Sequence, residues 1–573
     1  MPTLIGSYNL RSIGSSMLVV FVFCFGSAIV RAAERDLIML ELGRDGNPIV
    51  EYKLSDGANV VAFADSDTQT HALVRSALWE PLTACTSVYS NVEMKLLDCP
   101  RPRFQLLPDK LVRDRRYPPV IKLQNGGSLV FTQYLQSIGR SGFTNWLIKA
   151  PRRGVVVYRD RKSESTLEIK GSDFQKDMRG WIYFGPDTFT KIDGALVLTD
   201  SGLPNFTTSL IAKNTAALLK VYTERLGKKL PASPSIYVVW EERDKPGQNF
   251  QADVVPGGVI RFGLRGEAWA TESAERSTRI ISVLAHELAH LWNAGVFMHE
   301  KTSETWLYEG NAELLSVAAL YAIGALDEAA VTARVSHAFS DCAIQSAGRP
   351  WGGMKERFAG QIPYVCGFAL NFLAAGPASA DVLSSDVLGF WRAFWDIHPS
   401  YSQRDLESYL AKTRGDLVSN KFSRVFTDAT TPLNQHLVRL LQTQGHSAST
   451  QIELSKSIRS RVASNVFREI LRDDCGPNSS AIGREAEYEV VECVGLKKGT
   501  KLAFVNSINI YDRTMDAVNS ISSTCARDQK VRVSSGSDEL VLNCSPIVAE
   551  RLKWVLQLPN VERLAKFGEL FTR

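Results

Sequence analysis

The chain has 573 residues, of which 45% are hydrophobic and 22% charged, with a formal net charge of +5. That length exceeds what one hydrophobic core sustains, so three or four domains are expected. No low-complexity tract or internal repeat occurs, and the basic runs RDRR (113–116) and PRRG (151–154) lack the interleaved aromatics of a stacking platform, which excludes disorder, a solenoid and a nucleic-acid partner.

At the N-terminus Arg11 precedes fourteen uncharged residues, Met17–Val30, with small residues following near Ala32 and Ala33. A bilayer span needs about twenty apolar residues. The run instead fits a secretory signal over 1–33, with an uncleaved anchor as the alternative. The mature chain is therefore expected in the periplasm or secreted, with no stable membrane span. Setting aside Cys24 leaves eight cysteines, an even count that suits disulfides in an exported protein. Their order suggests that neighbours pair: 85 with 99, 342 with 366, and two bridges in the tail. Eight cysteines allow about 105 connectivities, so this order does not decide among them. None has CxxC spacing, which disfavours a cysteine-held metal.

From 34 to 200 short apolar or alternating runs (59–64, 128–135, 154–160, 165–171, 180–185) predict strands and an N-terminal β-rich domain. Residues 209–227 have helical periodicity ending at Gly227; 235–241 and 257–264 read as strands. Residues 271–295 predict a strong helix, with Ile280, Ile281, Leu284, Leu288, Leu291 and Trp292 on its buried face and Gly295 as a stop. The mixed layout of 201–325 implies an α/β domain, and helical periodicity over 326–455 implies a helical lobe. From 456 to 573 alternating helix and strand signals predict a small disulfide-bonded α+β domain. The whole chain is thus expected to be multidomain α+β.

The richest chemistry lies in HELAHLWNAGVFMHEKTSETWLYEGNAE, 286–313. On a helix His286 and His290 project from one face, a turn apart, where two imidazole nitrogens can reach one metal. Glu287 lies beside them, placed to move a proton rather than to ligate. This is the H-E-x-x-H arrangement. The blander reading is a helix that happens to carry two histidines. Glu309, separated from His290 by eighteen residues, supplies a third, acidic ligand, and Gly310 lets a second helix approach closely. Two histidines and a glutamate with an open position form a catalytic zinc set, whereas structural zinc is usually closed by cysteine.

H-E-x-x-H followed by W-L-x-E-G-x-A-E, with eighteen residues between the second histidine and the first glutamate of that segment, resembles the gluzincin metallopeptidases of the membrane-alanyl-aminopeptidase family, which includes the leukotriene hydrolases. The resemblance implies a thermolysin-like α/β zinc catalytic domain binding one zinc ion through His286, His290 and Glu309, with Glu287 as general base. HLWN is similar to the glycyl-aminopeptidase relatives. Glu313 matches a further family glutamate and is read as an acceptor that orients a ligand, against the alternative of a solvated charge. IPYVCGFALNFLAA (362–375) resembles the family's P-Y-x-K-G-F-A-L-x-F-L, which implies that Tyr364 stabilises the oxyanion; the alternative is a core tyrosine. The family lysine is Cys366 here.

The family's G-x-M-E-N strand, whose glutamate holds a free amine, is missing. PGGVIRFGL (256–264) stands in the corresponding stretch, with Gly257, Gly258 and Arg261 as weak substrate-binding candidates. This strand could pair with an extended substrate. Arg261 could attract a carboxylate, but an exposed edge-strand arginine is preferred. An aminopeptidase restriction is therefore left open. His299 could touch substrate or simply be solvated, and the other histidines fall in no constellation. Residues 494–510 faintly resemble a PDZ domain, against an unrelated α+β module.

The expected function is an exported zinc peptidase acting on peptide or protein substrates. The alternatives are an inactive scaffold that keeps zinc for stability, or hydrolysis of a non-peptide substrate such as an epoxide.

Overall fold

The computed structural model describes residues 36–546, apart from 55–59, 65–67, 90–92, 109–116, 175–178, 301–303, 355–359, 377–385, 445–455, 476–479, 493–496, 536–538 and a few isolated or paired positions. The signal run, the RDRR run and the expected terminal helix lie outside them. So do Cys85, Cys493 and the side chain of Cys475, and with them two of the expected pairings. No helix among the described residues is long and apolar enough to cross a membrane.

The architecture is multidomain and mixed α/β. The N-terminal part forms three sheets, of six, five and five strands, with an 11-residue helix, Thr68–Leu78, that the strand-rich reading did not anticipate. A five-stranded sheet follows, built from β1 (Thr190–Ile192), β2 (Ala195–Thr199), β3 (Ser235–Glu241), β4 (Asn249–Val255) and β5 (Val259–Arg265) in the order β1-β2-β3-β5-β4. β2, β3 and β5 run parallel, and β4 is antiparallel to β5 at the edge.

Its central strand β3 has no wet face. Ile236 and Val238 of β3 join a core of helices, whereas Tyr237 and Val239 point the other way into the core of the N-terminal sheets. Burial on both faces is why SIYVVWE reads as a continuous apolar run rather than an alternating one. It also fixes β5 as an inner strand. The free edge belongs to Asn249–Val255, not to 257–264 as expected; the β4 sequence, NFQADVV, carries polar residues and gave no clear strand signal.

Helix α1 (Asn205–Leu226) connects β2 to β3 and ends at Gly227, whose φ of 70° is the left-handed conformation glycine adopts freely. Helix α2 (Ala274–His290) is capped by Ser273, whose hydroxyl accepts from Arg276 N at 3.2 Å. Ile280, Ile281, Leu284 and Leu288 form its buried face, and the chain then widens into a π turn over Leu291–Val296. Helices α3 (Thr305–Ala322), α4 (Glu328–Ser346) and α5 (Ile362–Ala375) follow, then four further helices from Val387 to Thr443. Beyond 456 a 20-residue helix, a 15-residue helix and two small sheets share a third core that also takes in Ala343, Ile344 and Ala347 of α4.

Two disulfides join described side chains, Cys342–Cys366 and Cys525–Cys544. Both link cysteines that are neighbours in the sequence.

Candidate metal centre

Two helices bring the site together. α2 presents His286 and His290 from one face, and α3 presents Glu309 from the start of its second turn. The two Nε2 atoms lie 3.1 Å apart, and Glu309 Oε2 is 3.4 Å from His286 Nε2 and 3.2 Å from His290 Nε2. Among the described residues this is the one His/Cys/Asp/Glu group whose donors converge closely enough to hold a metal ion. Tetrahedral zinc with bonds of about 2.0–2.1 Å sets its donors about 3.3–3.4 Å apart. The three separations fit that figure.

The histidines are oriented from behind. His290 Nδ1 is 3.0 Å from Asn293 Oδ1, while Asn293 Nδ2 donates to Tyr308 O at 2.8 Å and to Asn311 Oδ1 at 3.1 Å. With its amide nitrogen so engaged, Asn293 offers oxygen to the ring, so Nδ1 carries the proton and the Nε2 lone pair faces Glu309. Glu313 Oε1 lies 3.4 Å from His286 Nδ1, a looser counterpart.

Electrostatics follow from burial. Glu287 is 6% exposed, and burial pushes its carboxyl up to about 8; His290 opposes the shift, while Asp253, Glu309 and Glu313 add to it. Burial would also raise Glu309, but His290 and His286 outweigh it and hold the carboxyl well below its usual range. Burial disfavours protonation of His286, yet the carboxylates of Glu313 and Glu309 raise it.

Tyr364 sits near the start of α5 with its ring 5.8 Å from that of His286. Burial first, then the Glu309 and Glu287 carboxylates, raise its hydroxyl well above the ordinary tyrosine range. A second phenol, Tyr308, stacks 5.8 Å from His290, and burial together with Glu309 pushes it up to about 12.

The weaker candidates lie elsewhere. Gly257 and Gly258, with φ of 85° and 75°, form the β4–β5 turn against Arg159 and Pro234. Arg261 is fully buried, not an exposed edge-strand residue. It is held by Glu241 at 3.1 Å and Gln251 at 3.1 Å, with Asp253 at 3.8 Å, under the rings of Tyr117 and Trp181. The sheet face it occupies is covered by the N-terminal core, which sequence periodicity does not reveal. His299 is buried rather than solvated, 3.5 Å from Glu304 and packed between the rings of Tyr308 and Tyr401.

Three residues near the site escaped the sequence reading: Asn293, Tyr308 and Asp253. Asn293 could have been found from its place three residues past His290, one turn along the same face. Tyr308 stands directly before Glu309. Asp253 gave no signal because its strand was not recognised.

No family model matches the chain, and no curated protein matches it. Among solved structures it is similar to an aminopeptidase N family protein from Idiomarina loihiensis, at 12% identity and a TM-score of 0.54, over 91% of this chain and 100% of that chain. An M1 zinc metallopeptidase from Deinococcus radiodurans, bound to a Tyr-Ser-Ala substrate, matches at 15% identity and a TM-score of 0.40, over 70% of this chain and 95% of that one. At such identity the first likeness speaks for the fold alone. The chain thus shares its fold with that aminopeptidase N family protein.

Proposed function

We propose that the chain is an exported, zinc-dependent peptidase in which His286, His290 and Glu309 hold one zinc ion. The observation that carries the reading is the 3.1–3.4 Å spacing of their three donor atoms, in a chain with an aminopeptidase-like fold. Zinc, when bound, polarises a carbonyl and acidifies water.

The remaining work falls to the protein. Glu287 accepts the proton of the attacking water and returns it to the leaving amine. The Tyr364 hydroxyl donates a hydrogen bond to the oxyanion. Asn293 and Glu313 orient the two imidazoles. The proposed organisation is a leader over 1–33, a β-rich domain over 34–200, a catalytic domain over 201–325, a helical lobe over 326–455 and an α+β domain from 456. Export is supported by the apolar run at 17–30 and by buried disulfides, which persist in oxidising compartments.

The test is turnover of two quenched peptide pools, one with free and one with blocked N-termini, with and without a zinc chelator. Chelator-sensitive cleavage of blocked peptides makes the protein an endopeptidase. Cleavage restricted to free amines makes it an aminopeptidase whose anchor is not a G-x-M-E-N glutamate. Cleavage of neither pool by zinc-loaded protein overturns the peptidase reading in favour of a scaffold or a non-peptide hydrolase.

A further inference from the structure

Tyr364 is the third residue of α5, and its N–H and that of Val365 both donate to Gln361 O, at 3.1 and 3.0 Å. Gln361, the preceding cap, makes no side-chain hydrogen bond to the helix. Around the tyrosine the sequence IPYVCGFAL has no other side chain able to form an ion pair or a strong hydrogen bond. The azimuth of this first turn must therefore come from packing or from a covalent tie.

Both exist. Towards α3, Gly367 packs against Gly310 and Trp306, and Asn371 Nδ2 donates to Trp306 O at 3.0 Å. Towards α4, Cys366 is bonded to Cys342 with the Cα atoms 4.6 Å apart, and both cysteines are fully buried. Cys366 is two residues from Tyr364, so the bridge is the covalent restraint nearest to the phenol. The Gly310–Gly367 contact and the Asn371 hydrogen bond hold α5 to α3, and the bridge at the neighbouring residue ties it to α4.

We propose that the Cys342–Cys366 disulfide is a positioning element that holds the Tyr364 ring beside that of His286, an inference that rests on the peptidase reading of this site. Its complete burial argues against a redox switch, since attack by an external thiolate needs access to a sulfur. The bridge acts as a fixed strut, and its loss acts on turnover through Tyr364. Misplacement of a reacting group by about 1 Å costs up to about a hundredfold in rate.

The experiment uses the full chain carrying Cys342→Ala with Cys366→Ala, alone and combined with Tyr364→Phe, measured well below its melting temperature. A bulkier pair, Cys342→Ala with Cys366→Val, serves if the first does not fold. The expected result is a fall in kcat of about ten- to a hundredfold with KM and zinc content unchanged, and no further fall when the bridge is removed from the Tyr364→Phe background. Equal losses in both backgrounds, an unchanged kcat, or failure of both pairs to fold would each overturn the proposal, leaving the bridge as a general staple. A 19F spectrum of fluorotyrosine-labelled protein, with the Tyr364 signal identified by Tyr364→Phe, supplies a readout independent of activity. It should shift or broaden when the bridge is lost. A shift in a protein whose Tyr364→Phe variant turns over normally would sink the catalytic role of the tyrosine while leaving its positioning by the bridge intact.

Discussion

Gly310 and Gly367 meet backbone to backbone: a Cβ on Gly310 would collide with the main chain of Gly367, and one on Gly367 with Trp306 O and Gly310. This contact sets how close the helix bearing Glu309 comes to the helix bearing Tyr364. Replacing Gly310 by Ala should destabilise the protein by on the order of 3 kcal/mol, at the upper end of over-packing costs, and lower kcat together with the melting temperature. A Gly310→Ala protein that melts and turns over like wild type would show that the helices have slack.

Glu287 is buried beside two histidines yet is not one of the converging donors. Glu287→Gln keeps its size and removes its basicity, so turnover should fall by about 10²–10⁴-fold with bound zinc unchanged. Metal analysis alongside the peptide assay separates this from ligand loss. Wild-type turnover in the variant would refute the mechanism.

Asn293→Ala leaves His290 Nδ1 without its partner at 3.0 Å. Zinc affinity should drop by about 10–100-fold, read by competition with a chromogenic chelator. Glu313→Gln should cost less, because Glu313 stands 3.4 Å from His286 and is 37% exposed. If Glu313→Gln proved the more damaging of the two, the roles assigned to these side chains would have to be exchanged.

Arg261→Ala should remove the fully buried cation beside the partly buried carboxylates of Asp253 and Glu241, leaving Glu241 with Arg265 at 2.7 Å. Breaking a buried pair in this way costs about 3–5 kcal/mol, so the expected outcome is a large drop in melting temperature. The ratio of KM values for carboxylate- and amide-terminated peptides should not change. A selective rise in KM for free-carboxylate substrates in a stable variant would restore Arg261 as a substrate contact.

Local pattern carried much of this molecule. The 3.6-residue period located α1 and α2 within a few residues, and spacing alone put His286 and His290 on one helix face with Glu309 as a third candidate donor. Those features are set by neighbours in the chain. The edge strand Asn249–Val255 was invisible because its burial is graded rather than alternating, and Thr68–Leu78 was lost among strands. Arg261 was misread because a charge in a sequence implies water, while here the N-terminal core closes over it.

What the sequence by itself determined, then, was the donor set and its helical frame, since a helix converts spacing directly into direction. What only the tertiary structure decided was everything set by which surfaces meet: the burial that pushes Glu287 up to about 8, the Asn293 contact behind His290, and the free sheet edge at β4. The placement of the Tyr364 ring 5.8 Å from that of His286 belongs with these, because α5 meets α3 through two facing glycines and is joined to α4 by a disulfide, contacts between segments that no local periodicity encodes.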